Sequence, residues 1–138
     1  MRGIKNQVEG EANKLIGMDN NIFGSKNSIF GLGNDIFGGK TVILKGNENV
    51  IKGSENLLSG RKNIVDGDIN KVKGDFNILS GHLKNIFGEE NVGVGDKNNI
   101  AGNKNLLTGS ENTVQGGENK IKGNQNTAIG DKNSITGL

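Results

Sequence analysis

Glycine, asparagine and aliphatic residues recur along this chain at a fixed interval of seven residues. Each repeat begins with a glycine, carries an asparagine three residues later and carries Ile, Leu or Val five residues later. The unit therefore reads G-x-x-N-x-[ILV]-x, and nineteen copies fill nearly the whole chain. A constant short period of this kind is typical of solenoid proteins.

Few repeats depart from this pattern. The exceptions are Thr41 and Lys84 at the asparagine position and Gly93 and Ala128 at the aliphatic position. One glycine interval has eight residues, which places a one-residue insertion near residues 39–45. Because an extra residue within a strand would turn outward side chains inward, we expect a bulged corner near Lys45.

Each repeat is predicted to form one short strand and one turn. A glycine costs a helix interior about 1 kcal/mol, so a glycine in every heptad excludes a coiled coil. The segment N-x-[ILV] instead alternates inward and outward as a strand does, and the glycine permits a tight corner.

The variable positions indicate two strands per coil. Two residues after the glycine, every second repeat carries charges that alternate in sign, interrupted once by Phe76, in the series Glu48, Lys62, Phe76, Glu90, Lys104, Glu118 and Lys132. Neighbours across stacked coils should match chemically, which favours a coil of fourteen residues. The predicted fold is an all-β solenoid over residues 1–138, a single domain. It has two flat parallel sheets, nine to ten coils and a length of about 45 Å.

The interior is expected to contain an aliphatic column and an asparagine column for each sheet. A polar side chain in so thin a core is tolerable only if it is hydrogen-bonded, and stacking on identical neighbours supplies the partner. The seventeen repeat asparagines are therefore predicted to be structural and to form ladders along the axis.

Composition changes this picture little. Low hydrophobicity, with 31% AVILMFWYC residues, would by itself suggest disorder, but disordered chains do not place aliphatic residues at a fixed interval. A net charge of +2 without a basic block does not favour nucleic acid, and no apolar run reaches membrane-spanning length.

None of the candidate motifs for catalysis, metal binding or cofactor binding in the sequence fits its pattern. His82 is the only histidine, so no triad or multi-histidine metal site can be drawn, and a solvent-facing corner is expected. The stretch NDIFGGKT at residues 34–41 resembles a phosphate loop, but its opening glycine is one position out of place. We expect no enzyme, no cofactor and no metal site.

The repeat resembles that of the grass ice-recrystallization-inhibition and antifreeze proteins, x-x-N-x-V-x-G. The likeness is plain in GSENTVQGGENKIKGNQNTAIGDKNSITG, residues 109–137, and covers nearly the whole chain. It implies a left-handed β-roll with inward Val and Asn columns and an outward flat face that binds ice. It also implies secretion to the apoplast, although residues 1–10 contain no apolar signal-peptide region.

The resemblance implies that the ice-binding residues are the two outward positions of each strand. The first-choice face is uncharged across four coils and consists of Asn85, Asn99, Ala101, Thr113, Gln115, Thr127 and Ile129, with Phe87 in the same rows. The second face, for ice or a protein partner, consists of Ile64, Ile78, Ser80, Val92, Val94, Leu106 and Thr108. Ice is the implied partner.

A non-catalytic structural, adhesive or self-assembling solenoid is the alternative function. Other outward positions hold charges such as Lys71 and Lys73, which disrupt a flat array, so that the fold can persist without ice binding. A homo-oligomer could form through Phe23, Phe30 and Phe37 or through the solenoid ends, because exposed apolar rows usually mark a partner surface.

Overall fold

The chain forms a rod of two parallel sheets stacked back to back. The computed structural model describes residues 2–137, except for the side chain of Leu44. Ten strands form one sheet in the order β1-β3-β5-β7-β9-β11-β13-β15-β17-β19, called the odd sheet here. The other nine form the even sheet in the order β18-β16-β14-β12-β10-β8-β6-β4-β2. The all-β solenoid with two strands per coil is confirmed.

The strands are short and evenly spaced along the sequence. Their bounds are β1 Gln7–Glu9, β2 Lys14–Met18, β3 Asn21–Phe23, β4 Ser28–Leu32, β5 Asp35–Phe37, β6 Val42–Lys45, β7 Val50–Lys52, β8 Leu57–Ser59, β9 Ile64–Asp66, β10 Lys71–Lys73, β11 Ile78–Ser80, β12 Asn85–Phe87, β13 Val92–Val94, β14 Asn99–Ala101, β15 Leu106–Thr108, β16 Thr113–Gln115, β17 Lys120–Lys122, β18 Thr127–Ile129 and β19 Ser134–Thr136. Within residues 2–137, no helix is long and apolar enough to cross a membrane.

Strand pairing keeps chemically equivalent residues in line. Ile86 of β12 pairs with Val72 on one side and with Ile100 on the other, each fourteen residues away. The middle residue of each three-residue strand points inward, as do Leu15, Ile29 and Ile43 in the longer strands β2, β4 and β6, so the aliphatic columns of the two sheets form one continuous core. Gly93 is the gap in this core, where a Cβ would lie 3.6 Å from both Ile100 Cδ1 and Leu79 Cδ2.

The asparagine column forms the predicted ladder. Asn77 shows the pattern: its Oδ1 accepts from the backbone N–H of Asn91 at 3.1 Å and from the Nδ2 of Asn91 at 3.0 Å. Its own Nδ2 donates to Asn63 Oδ1 at 3.0 Å and to the carbonyl oxygen of Gly88 at 2.9 Å. The ladder therefore links consecutive coils, and the Asn77 amide also donates to the glycine carbonyl of the same corner one coil later.

The corners contain two features that the repeat pattern did not reveal. The residue two positions after the glycine adopts a left-handed conformation, as in Ile69 with φ 60° and Leu83 with φ 56°. At many corners a polar side chain directly after the glycine accepts a hydrogen bond from a backbone N–H one coil earlier, as when Asp96 Oδ1 accepts from His82 N at 2.8 Å. These corner bonds help to offset the strain of a left-handed backbone, which is unusual for an aliphatic residue.

Glycine is required at the corners by close approach as well as by conformation. Gly102 has φ 134°, and a Cβ at this position would overlap the carbonyl oxygen of Gly116 in the next coil. Any side chain here would push neighbouring coils apart.

The one-residue insertion lies within a strand and not in the corner that follows it. Val42 and Ile43 pair with Leu57 and Leu58, the register then shifts, and Lys45 pairs with Ser59. The position expected near Lys45 is thus corrected from the corner to the end of β6. The bulge absorbs the extra residue, so that Lys45 returns to the outward row.

Candidate functional site

The first-choice residues lie together on the even sheet. Asn85, Asn99, Thr113 and Thr127 form one outward row on the adjacent strands β12, β14, β16 and β18. Phe87, Ala101, Gln115 and Ile129 form the second outward row of the same strands. All eight side chains are exposed. We call these two rows the first face.

The buried core below the first face fixes the spacing of its outward rows. The middle residues of its four strands, Ile86, Ile100, Val114 and Ala128, are all buried. Adjacent parallel strands lie about 4.8 Å apart, and the two outward residues of one strand are about 7 Å apart. Lys71 and Lys73 of β10 pair with Asn85 and Phe87, so a charged strand borders the face on its N-terminal side.

The second-face residues also lie together, on the opposite side of the rod. Ile64, Ile78, Val92 and Leu106 form one outward row of the odd sheet on β9, β11, β13 and β15. Ser80, Val94 and Thr108 form the row beside it. Lys120 and Lys122 of β17 border this face on its C-terminal side. The two faces point in opposite directions and cannot act as one surface.

The phenylalanines predicted to mediate assembly lie on both sheets. Phe23 and Phe37 stack on the odd sheet with ring centroids 5.3 Å apart and an interplanar angle of 2°. Phe30 is on the even sheet, in register with Ile16. The three rings therefore do not form one patch.

An open groove runs along one corner of the even sheet near its N-terminal end. It has a volume of 710 Å³, its floor includes Gly31, Gly46 and Gly60, and Phe30 and Leu32 line it. The stacked glycines leave this trench because they carry no side chains. None of the candidate residues of either face lines it.

Charges are concentrated at the corners. Arg61 Nη2 lies 2.9 Å from Asp75 Oδ2. Burial raises the pKa of the Asp75 carboxyl, but the side-chain and backbone hydrogen bonds from Arg61 and its charge together outweigh burial and hold this pKa below its ordinary value. The predicted alternation along one edge brings Lys62 Nζ to 3.6 Å from Glu48 Oε2 and to 5.5 Å from the ring centroid of Phe76. The uncharged faces are therefore framed by charged edges.

His82 lies at an exposed corner, where its side chain hydrogen-bonds to the backbone. Its Nδ1 accepts a hydrogen bond from the backbone N–H of Asp68 at 2.8 Å. Within residues 2–137, no group of three or more His, Asp or Glu side chains is arranged to hold a metal ion.

Comparison with known proteins gives one informative match. A search of the curated proteins found no match to this chain. Among solved structures, the chain is similar to LpxA, a UDP-N-acetylglucosamine acyltransferase from Bacteroides fragilis 9343, with 13% identity and a TM-score of 0.39. That likeness covers 91% of this chain and spans only 64% of the other, and a similarity this low carries no functional argument. The family model described as grass antifreeze beta roll matches residues 1–95. Since this match covers well over half of the chain, the protein belongs to the grass antifreeze beta roll family.

Proposed function

We propose that this protein adsorbs to ice and inhibits ice recrystallization through the first face. The family is a non-enzymatic, antifreeze kind, which makes ice the partner to consider first. The observation that carries the choice of face is the register of β12, β14, β16 and β18, which aligns eight exposed, uncharged side chains in two rows.

Regular spacing is the property that suits such a face to ice. Water held between rows that repeat at about 4.8 Å and about 7 Å can match the periodicity of an ice surface in two directions. The ladder below supports this spacing, because Asn112 Nδ2 donates to Asn98 Oδ1 at 3.1 Å and to the carbonyl oxygen of Gly123 at 3.0 Å. A preorganised surface loses little conformational entropy when it binds.

The composition of the face favours modest activity. Thr113 and Thr127 present a hydroxyl and a methyl group side by side on neighbouring strands. Phe87 and Ile129 are larger, and Ile129 is 74% exposed, so the second row is less even than the first. Most of the face lies beyond residue 95, where the same seven-residue repeat continues.

Lysine substitution on one sheet, with a matched substitution on the other, tests the proposal. We expect the double variant Thr113→Lys and Thr127→Lys to lose recrystallization inhibition, because two bulky charges would interrupt the row at adjacent strands. The control Thr108→Lys and Thr136→Lys places the same charges on the odd sheet, where Lys122 separates the two threonines. Crystal growth in a frozen sucrose film, measured at equal protein concentrations, gives the readout.

The pattern of losses assigns the face. Activity lost only in the Thr113 and Thr127 variant supports the first face. Activity lost only in the Thr108 and Thr136 variant would transfer the function to the second face. An unmodified protein whose ice crystals coarsen as fast as those of an unrelated protein of equal mass would overturn the proposal altogether.

A further inference from the structure

One row of the odd sheet has a pattern that ice binding does not explain. The outward residues Val50, Ile64, Ile78, Val92 and Leu106 follow one another on five adjacent strands, and we call them the aliphatic row. Four of them are 40–47% exposed. Branched apolar side chains aligned along a rigid surface favour contact with another apolar surface.

The two ends of the aliphatic row carry opposite charges. Asp35 precedes Val50 in the same row, and Lys120 follows Leu106. The complete row therefore reads Asp, Val, Ile, Ile, Val, Leu, Lys, with Ile78 at its centre. Read in the reverse direction, the pattern of residue types is the same except that acid and base are exchanged.

This pattern is self-complementary under two-fold symmetry. If a second copy packs on the odd sheet with its strands parallel and its rod axis reversed, β11 faces β11 of the other copy. Aliphatic residues then face aliphatic residues along the whole row, and Asp35 of each copy faces Lys120 of the other. Residues that meet their counterparts reciprocally are the mark of an isologous interface.

The neighbouring outward row adds a second complementary contact. Phe37 precedes Lys52 in that row, and Lys122 follows Thr108. In the same arrangement Phe37 faces Lys122 of the other copy, which places an ammonium group over an aromatic ring. The Asp35 carboxylate is held for its contact, since Asn21 Nδ2 donates to its Oδ1 at 2.9 Å and leaves Oδ2 available.

The alternative arrangement of two copies is less favourable. If the rod axes were parallel, each outward row would face the other outward row of the partner. Lys120 would then face Lys122, and Asp35 would face Phe37 in place of a lysine. Like charges across an interface are repulsive.

We propose that the odd sheet is a self-association surface, on which two copies pair with antiparallel rod axes about a two-fold axis at β11. The seven strands from β5 to β17 extend over about 29 Å, so the contact buries on the order of 800 Å² in total. This area is below that of most stable complexes, so the dimer forms at high concentration, with a dissociation constant on the order of 100 µM. Both first faces remain exposed on the outside of the pair.

A charge exchange within the row tests the arrangement. Sedimentation equilibrium of the full chain between about 10 µM and 1 mM should show a monomer–dimer equilibrium. Asp35→Lys alone and Lys120→Asp alone should each raise the dissociation constant about fivefold, because each places like charges opposite one another at both ends of the contact. The double variant should return to within about twofold of the unmodified protein, since the pairs form again with reversed sign.

Two further variants separate this contact from general charge effects. Ile78→Lys places two ammonium groups at the symmetry axis and should abolish the dimer, while Lys71→Asp makes a charge change on the even sheet and should leave the dissociation constant unchanged. A protein that remains monomeric at 1 mM would overturn the proposal. So would a double variant no better than the single ones. Recrystallization inhibition is measured separately, so failure of one proposal does not imply failure of the other.

Discussion

At the scale of single residues, Lys84 is the most unfavourable substitution in the repeat. It occupies an asparagine position and is fully buried. Its ammonium group donates to the carbonyl oxygen of Ser80 at 2.5 Å. Burial lowers the pKa of this group from its ordinary 10.5 to about 8, although the nearby Asp96 carboxylate opposes the shift. Lysine also offers no oxygen to the next coil, where Asn98 Nδ2 donates to Gly109.

Restoring the consensus at this position should stabilise the protein. We expect Lys84→Asn to raise the free energy of unfolding at pH 7 by about 2 to 4 kcal/mol, through loss of a buried charge and completion of the ladder. Urea denaturation followed by circular dichroism measures the difference. Lys71→Asn, at an exposed outward position, is the control and should change stability by less than about 0.5 kcal/mol.

The advantage of the asparagine variant should decrease with rising pH. Between pH 8 and 10.5 the unfolded chain still holds the proton on Lys84, whereas the folded protein has released it. The unfolded state then binds more protons, so the stability of the unmodified protein rises with pH. The difference in free energy of unfolding between the Lys84→Asn variant and the unmodified protein should decrease by up to about 3 kcal/mol over this pH interval. A difference that stays constant would mean that the folded ammonium group keeps its ordinary pKa.

Thr41 interrupts the same asparagine column more mildly. Its backbone N–H still donates to Asn27 Oδ1 at 2.9 Å, but within residues 2–137 its hydroxyl oxygen is buried without a hydrogen-bond partner. The sequence identifies both positions as exceptions. Only the structure shows that one buries a charge and the other leaves a hydroxyl unsatisfied.

At the scale of the strands and ladders, the asparagine column adds hydrogen bonds between consecutive coils to those of the backbone. Three-residue strands such as β12 provide few ladder bonds between coils, and each asparagine adds bonds at the point where a strand begins. Polar residues directly after many of the glycines add another series of hydrogen bonds. The stability of each coil therefore depends on polar groups inside the rod, which are strong only when all of them are satisfied.

Removing one asparagine from the centre of the rod should be costly. Asn77→Ala deletes four side-chain hydrogen bonds, two donated and two accepted, and leaves buried groups of Asn91 and Gly88 without partners. We expect a loss of about 3 kcal/mol or more in the free energy of unfolding, measured by urea denaturation. Asn99→Ala, on the exposed first face, is the matched control and should cost less than about 0.5 kcal/mol. Equal effects of the two substitutions would contradict a structural ladder.

At the scale of the whole molecule, the side of the rod on which a residue lies depends on the number of repeats before it. Each seven-residue repeat moves the chain from one sheet to the other, and each fourteen-residue coil returns it to the same sheet. Solenoid repeats contact mainly their neighbours, so whole repeats can be removed without loss of the fold. The faces, in contrast, depend on long-range register.

Deleting a single repeat should exchange the two sheets for all later strands. After removal of residues 82–88, β14 should pair with β11, so that cysteines introduced by Ile78→Cys and Asn99→Cys lie on adjacent strands. Neighbouring strands in a sheet have Cα atoms at a separation that permits a disulfide bond. The protein has no other cysteine, so oxidation should give one cross-link, detected by faster migration on a non-reducing gel.

Two controls define this result. In the full-length protein β11 and β14 belong to opposite sheets, and no cross-link should form. Removal of residues 82–95, two complete repeats, restores the original assignment of sheets and should also give none. Cross-linking that is the same in all three proteins would show that the repeat number does not determine the sheet.

The sequence by itself determined the repeat, the strand positions, the two strands per coil and the inward asparagine and aliphatic columns. These features depend on local periodicity, because glycine, asparagine and aliphatic residues each have one suitable place in a short coil. The residues of both candidate faces also followed from counting in steps of fourteen. Which face acts on ice remains a prediction.

Only the tertiary structure decided the features that arise from contact between coils. The left-handed corners at Ile69 and Leu83, the corner hydrogen bonds and the bulge within β6 have no signal in the repeat, because neighbouring coils and not local preference stabilise them. The sequence places Lys84 in an inward column, but only the structure shows that its whole side chain is buried and that its ammonium group donates to the carbonyl oxygen of Ser80. The periodicity assigns each residue to its position in the coil, and packing between coils determines how much a given residue type stabilises or destabilises the protein at that position.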